Sequence, residues 1–203
     1  MPTAASRPKH NVLVYVGMLA LALAGTVVVL LGVGAMLAER WQVDTSRPVT
    51  GSAEQVRVLV HDFATWSDWS SLQANLGPST HREIRGTPGT VGQQLTWSGA
   101  LGVATLTMTA VAADSVSYDF HQQDPGEATP RLLGRGTIRW QQEGTGAPVC
   151  RVAWHEEVVL DSLLLRWWGW FGAVQDRVKQ IQGTSLAGLQ QTIDAAAKSP
   201  PPK

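Results

Sequence analysis

The 203 residues are enough for one ordinary domain beside an N-terminal segment, with a proper buried core. Lys plus Arg and Asp plus Glu stand at 16 each, so no chain-wide positive field draws in phosphate backbones, and nucleic acid is not an expected partner. The single cysteine, Cys150, excludes an intrachain disulfide and any cysteine-rich zinc or iron–sulfur site.

From Val12 to Leu37 there is no charged residue, and Tyr15 and Thr26 alone interrupt a run of Val, Leu, Ala, Gly and Met. About 26 residues at ~1.5 Å each make roughly 39 Å of helix, more than the ~30 Å of a bilayer core requires. The sequence therefore predicts an N-terminal tail at 1–11, a transmembrane helix at 12–38, a domain at 39–197 and a disordered tail at 198–203. A cleaved signal peptide is the rival reading, with Arg7 and Lys9 as its positive end and Val33 and Ala35 near a cleavage site; the apolar run is long for that role. Arg7 and Lys9 face Arg40 and Arg47 across the span, and the reading adopted is a single-pass membrane protein with its domain on the outer, periplasmic or extracellular, side.

Beyond the span, Trp41–Val49 reads as a first strand whose Pro48 limits regular pairing. Ser52 is a candidate N-cap for a short helix that starts in the stretch Ala53–Phe63, where Val56, Leu59, Val60 and Phe63 recur at helical spacing, and that is expected to end near Trp66–Trp69. Five segments then alternate with period two: Gln93–Ser98, Val103–Val111, Ser115–His121, Gly136–Gln141 and Cys150–Val158. Their connections fall at Gly99–Gly102, Ala113–Asp114, Asp124–Gly134 and Glu143–Pro148, too short for intervening helices, which predicts an antiparallel sheet. The chain closes in a helix with an apolar stripe of Val174, Val178, Ile181, Leu186, Leu189 and Ile193, leaving Gln175, Asp176, Arg177, Lys179 and Gln190 for solvent.

Four stretches carry a likeness to a known family: Phe63–Ser70 (FATWSDWS), Gly89–Gly92 leading to Trp97–Gly99, Gly136–Trp140 (GTIRW), and Leu164–Gly169 followed by Ser185–Leu189. Across roughly residues 41 to 196 the chain resembles the START-like, polyketide-cyclase/dehydrase (SRPBCC) superfamily. The resemblance implies an α+β helix-grip fold, in which a curved antiparallel β-sheet wraps around a long C-terminal α-helix, here preceded by one transmembrane helix. It also implies an apolar cavity for a lipid-like, sterol-like or polyketide-like molecule. It does not imply one reaction, since the superfamily holds binders, carriers and enzymes.

Nine Trp against three Phe and two Tyr suit an apolar cavity or a membrane interface. The candidate ligand-binding residues are Trp66, Trp69, Trp97, Met108, Tyr118, Phe120, Trp140, Trp154 and Phe171, each weighed against plain core packing. No residue is assigned as catalytic. Glu156 has the parity of the apolar strand face and would serve as a general acid or base if buried, but a strand-end carboxylate reaching solvent is the favoured reading. His155 is expected on the solvent face; Asp62 and Asp68 are candidates for a cavity mouth, with a turn or cap favoured for Asp68. His61, His81 and His121 lack metal-ligand spacing, and no metal or cofactor is expected. The run Leu163–Phe171 is too apolar for an exposed helix, so it packs in the core, against a partner or at lipid headgroups. Three functions follow: membrane-anchored binding of a hydrophobic small molecule or lipid, which leads; a cyclase/dehydrase-type enzyme; and a membrane-protein interaction module.

Overall fold

The computed structural model describes residues 10–76, 80–144 and 148–198. The expected tail up to residue 9, the centre of the Glu143–Pro148 turn and all but Lys198 of the expected C-terminal tail lie outside these residues. Helix α1 (His10–Met36) is followed by β1 (Arg40–Thr50), α2 (Ala53–Val60), a 3-10 turn at Phe63–Thr65, α3 (Trp66–Trp69) and α4 (Leu72–Leu76). Six strands follow: β2 (His81–Arg85), β3 (Gln94–Gly99), β4 (Gly102–Ala112), β5 (Ser115–Gln123), β6 (Arg131–Glu143) and β7 (Val149–Val159). Helices α5 (Leu163–Trp170) and α6 (Ala173–Lys198) end the described chain.

The seven strands form one sheet in the order β1-β7-β6-β5-β4-β3-β2, every neighbouring pair antiparallel. With the long α6 against it, this is the α+β helix-grip arrangement. Hairpin connections set the order from β2 to β7, and β1 returns to pair with β7. Pro48 sits within β1 opposite Arg151 and does not shorten it, because β1 is an edge strand with one side free of partners. The alternation expected from sequence is the burial pattern observed: Leu106 and Met108 on β4, Val116 and Tyr118 on β5, Ile138 and Trp140 on β6, and Val152 and Trp154 on β7 all face inward and are buried.

Two boundaries differ from the sequence reading. Strand β2 (HREIR) has a single apolar residue, Ile84, and so carries no alternating signal. Strand β6 begins at Arg131, because Gly134, expected to end the preceding turn, lies inside the strand.

The helices on the concave face are held by specific polar contacts. Ser52 and Gln55 form a reciprocal capping box that starts α2, the kind of device that contributes ~1 kcal/mol. At the other end of α2, the indole N–H groups of Trp66 and Trp69 donate to the carbonyls of Val60 (3.0 Å) and Leu59 (2.9 Å), which the helix itself leaves unpaired. The helix stops at Val60, short of the end expected near Trp66–Trp69. Gln190, expected in solvent, instead accepts from the backbone N–H of Thr50 (2.7 Å) and donates to its carbonyl (3.3 Å), fastening α6 to the edge of β1. Between α3 and α6, the N–H of Ser71 donates to the Ser185 hydroxyl (2.9 Å), and Gly188 lies directly under the Trp69 carbonyl.

Helix α1 contains a stretch, Val14–Met36, that is long and apolar enough to cross a membrane, and its side chains are exposed. Its end is tied to α5. The Arg166 guanidinium bonds the Glu39 carboxylate (2.7 Å) and the carbonyls of Leu160 (3.3 Å) and Ala35 (3.4 Å), and the Trp167 indole covers Gly34.

The contrast between two α6 glycines tests this packing. Nothing lies within 4 Å of a Cβ added at Gly183, whereas one added at Gly188 overlaps the Trp69 carbonyl. Gly183→Ala is expected to raise stability by up to ~1 kcal/mol through helix propensity. Gly188→Ala is expected to lower it by roughly 1–3 kcal/mol through overpacking, the two shifts opposite in sign in thermal unfolding.

Candidate functional site

Between the sheet and the N-terminal half of α6 lies a cavity of about 250 Å3. Its sheet side includes Leu106, Phe120, Leu133 and Val158, and its helix side includes Val174 and Val178. Leu133 reaches it because the β5–β6 register shifts there: Phe120 pairs with Gly134 and His121 with Leu132, so Leu133 is the extra residue of a bulge that turns its side chain towards the helix.

Three residues with polar side chains are among those lining this apolar space: Tyr118, Glu156 and Gln182. The first two belong to one row across the sheet, where Tyr118 pairs with Gly136 and Gly136 with Glu156. A Cβ at Gly136 would occupy the position of the Tyr118 ring, so the missing side chain lets Tyr118 cross the central strand. Its hydroxyl donates to Glu156 Oε2 at 2.5 Å. The Trp154 indole N–H completes the group, shared between the Tyr118 oxygen (2.9 Å) and Glu156 Oε2 (3.1 Å). A Cβ at Gly134 would stand 2.9 Å from the Glu157 carbonyl oxygen and 3.3 Å from Glu156 Oε1, so this glycine chiefly spares the backbone of β7.

Burial raises the Glu156 carboxyl to about 7, against the opposing pull of the Tyr118 and Trp154 hydrogen bonds and of His155. Burial first, and then the adjacent Glu156, push the Tyr118 phenol well above its ordinary value, so it remains a donor. Gln182 is different. It is 1% exposed, and among the described residues neither its Nε2 nor its Oε1 has a hydrogen-bond partner.

Of the residues singled out from sequence, Tyr118, Phe120 and Trp154 line this cavity. The others lie elsewhere. Trp66 and Trp69 pack edge-on against Trp154 at centroid distances of 6.2 and 6.1 Å, with their N–H groups spent on α2. Met108 is closed into the core beyond the cavity, Trp97 borders a crevice with Arg82 and Leu95, and Trp140 meets His61 ring-to-edge at 5.3 Å. Phe171 is 74% exposed and stacks on Trp167.

Glu156, favoured as a solvent-reaching strand end, is held inward, while His155 points outward to Asp44 (Nδ1 to Oδ1 2.7 Å). Asp62, a candidate for a cavity mouth, instead caps the 3-10 turn, accepting from the Ala64 N–H (2.9 Å) and from Gln93 Nε2 (2.6 Å). Asp68 lies within α3 and accepts from the Ser67 hydroxyl (3.2 Å). Cys150 is a buried strand residue whose thiol burial pushes up. The glycines of β6 and Gln182 escaped the sequence reading; the only signal was the Gly134-Arg135-Gly136 spacing, which puts two empty positions on one strand face.

Residues 40–194 match the model of a family described as polyketide cyclase / dehydrase and lipid transport. Among solved structures, a Nitrosospira multiformis protein is similar over 78% of this chain and 100% of its own, at 16% identity and a TM-score of 0.54. A Bacillus thuringiensis protein is similar over 75% and 98%, at 19% identity and a TM-score of 0.51. A Mesorhizobium loti protein is similar over 76% and 98%, at 16% identity and a TM-score of 0.51. At such identities the likeness shows the fold. No curated protein matches.

A carboxyl whose pKa is higher in the folded than in the unfolded chain holds its proton longer when folded, so stability is greatest below the unfolded value and falls as pH rises. For Glu156 the window runs from 4.5 to about 7. Thermal unfolding of the full chain should lose on the order of 3 kcal/mol across it from this group. Glu156→Gln should remove that part of the slope.

Proposed function

The chain belongs to the polyketide cyclase/dehydrase and lipid transport family, and on that premise we propose that it is a membrane-tethered domain that binds a hydrophobic small molecule or lipid. The observation that carries the reading is the cavity of about 250 Å3 between sheet and α6, whose walls are apolar except for one clustered set of polar groups. Apolar walls with a few placed polar groups are the common design of small-molecule sites. The volume falls below the ~300–1,000 Å3 typical of drug-sized ligands, which suits a small molecule or one segment of a lipid.

Placement supports loading from a bilayer. The cavity wall includes Leu160 and Leu165, and the Leu160 N–H donates to the Glu39 carbonyl at 2.7 Å, three residues after α1 ends. On α5 and just after it, Leu164, Trp168, Trp170 and Phe171 are exposed, an apolar surface tied to the end of α1 by Arg166. Indole and phenyl rings at that level suit the headgroup layer, so the same helix walls the cavity and lies on the membrane. The basic residues before the span favour a domain on the outer side.

One observation favours a second reading. A carboxyl near neutrality, held by a phenol inside an apolar cavity, is chemically able to accept or donate a proton, the step a cyclase or dehydrase requires.

Full-length protein excised from membranes in polymer discs, then extracted with solvent, is expected to yield a stoichiometric apolar molecule by mass spectrometry. Val178→Trp, which fills the cavity, should fold and lose it. An empty wild-type protein would overturn the binding reading. If a ligand returned by wild type is chemically altered after incubation but unaltered with Glu156→Gln, the enzyme reading gains its proton-transfer residue.

A further inference from the structure

An oxygen of Glu156 is left open to whatever enters the cavity. Its Oε2 takes the Tyr118 proton at 2.5 Å and a share of the Trp154 N–H at 3.1 Å, while its Oε1 has no hydrogen-bond partner among the described residues. The partnerless side-chain atoms that are sealed from all contact belong to Trp41, Trp97, Arg131, Gln175 and Gln182. Glu156 Oε1 is not one of these, so it keeps accessible surface, and the half-buried residue that carries it lines the cavity.

Protonation decides what that oxygen offers. In the neutral carboxyl the proton belongs on Oε1, because a proton on Oε2 would leave the Tyr118 hydroxyl without its acceptor. Glu156 then presents one O–H donor in an apolar wall. Ionised, it presents a charge with no cation beside it. From α4, α5 and α6 the lining receives only apolar side chains and the amide of Gln182, from β4 and β6 only leucines, and from β5 Tyr118 and Phe120. Strand β1 sets Val43 opposite Glu156, and His155 is turned outward to Asp44.

We propose that the cavity takes an uncharged apolar molecule with a lone hydrogen-bond acceptor, a ketone or ester carbonyl, held by a proton on Glu156 Oε1, so that binding is coupled to protonation of this one carboxyl. A carbonyl uses the single donor and brings no donor of its own into hydrocarbon. An alcohol would strand its own proton, a primary ammonium would strand two of three, and an anionic head would add buried charge. Burial raises the carboxyl to about 7, so the donor is present at pH 5.5 and largely absent at pH 8.5. This deepens the ligand-binding reading above and rests on it.

The test uses the full chain in nanodiscs of ether-linked phosphatidylcholine, which has no carbonyl, supplied with undecan-2-one or undecane at pH 5.5 and 8.5. Protein-free discs give the partition background, and retained probe is measured by mass spectrometry. Wild type should hold the ketone roughly thirtyfold more tightly at the lower pH and undecane equally at both. Glu156→Gln, whose amide oxygen can take the Tyr118 and Trp154 bonds while its N–H group faces the cavity, should hold the ketone at both pH values. A ketone held no better than undecane, a pH dependence absent or opposite in sign in wild type, or one that survives in Glu156→Gln overturns the carbonyl assignment and leaves cavity binding standing. Retention of neither probe overturns both. With the assignment upheld, displacement of the ketone by ester-linked phosphatidylcholine would identify the carbonyl as a lipid ester, and its persistence as that of a free molecule.

Discussion

The geometry of the cavity depends on one ring lying across one missing side chain. Tyr118 passes over Gly136 to reach Glu156, and any residue larger than glycine would force the ring back over its own strand. A carboxylate would then stand in an apolar space without its shortest hydrogen bond, an arrangement folded proteins avoid. Trp154 joins the same oxygen from its place two residues away on β7, so three side chains on two strands become one hydrogen-bonded unit. Trp66 and Trp69 back that unit edge-on, with Phe63 edge-on against Trp66 in turn, which fixes ring positions from behind while leaving the front open to the cavity.

Helix α6 uses its two halves differently. From Ser185 onward it is close-packed: Ser185, Leu186, Leu189 and Ile193 are buried, Gly188 touches α3, and Gln190 grips β1. Before Ser185 it stands off the sheet, with Val174, Val178 and Ile181 forming a roof. The division explains how one helix both stabilises the domain and encloses a space within it. Strain from an added volume at one end is resisted at the other by contacts that do not involve the cavity.

The fold was largely legible because its signals are local. Period-two alternation in Val103–Val111 and the apolar stripe from Val174 to Ile193 each follow from one side needing burial. Strand β2 was illegible for the opposite reason: an edge strand with charges at Arg82, Glu83 and Arg85 buries too little to impose a pattern. The site was only partly legible. Alternation identifies the face of the sheet on which Tyr118, Phe120 and Trp154 stand, but not which of its rings border a space and which fill it. Trp66 and Trp69 were diverted by the carbonyls at the end of α2, a demand set by where that helix stops. Gly134 and Gly136 resemble turn residues until their strand neighbours are known, and a glutamine such as Gln182 on a helix resembles a solvated one. Parity put Glu156 on the apolar face, yet a solvent-reaching strand end was the favoured reading, because its burial depends on Tyr118, which lies 38 residues earlier in the chain.

Only Leu37, Ala38 and Glu39 separate α1 from β1, and Arg166 closes the joint by bonding on both sides of it. Three residues span at most ~10 Å even when extended. With α1 in a bilayer, the domain has neither the length of leash nor the freedom of rotation to swing towards a second, facing membrane. In that anchored state it would be a fixed turret. Any exchange with distant sites would then come from travel of the whole molecule within its own membrane, or from a shuttle that comes to it. A cargo's route would run along the surface, in two dimensions, rather than across the gap.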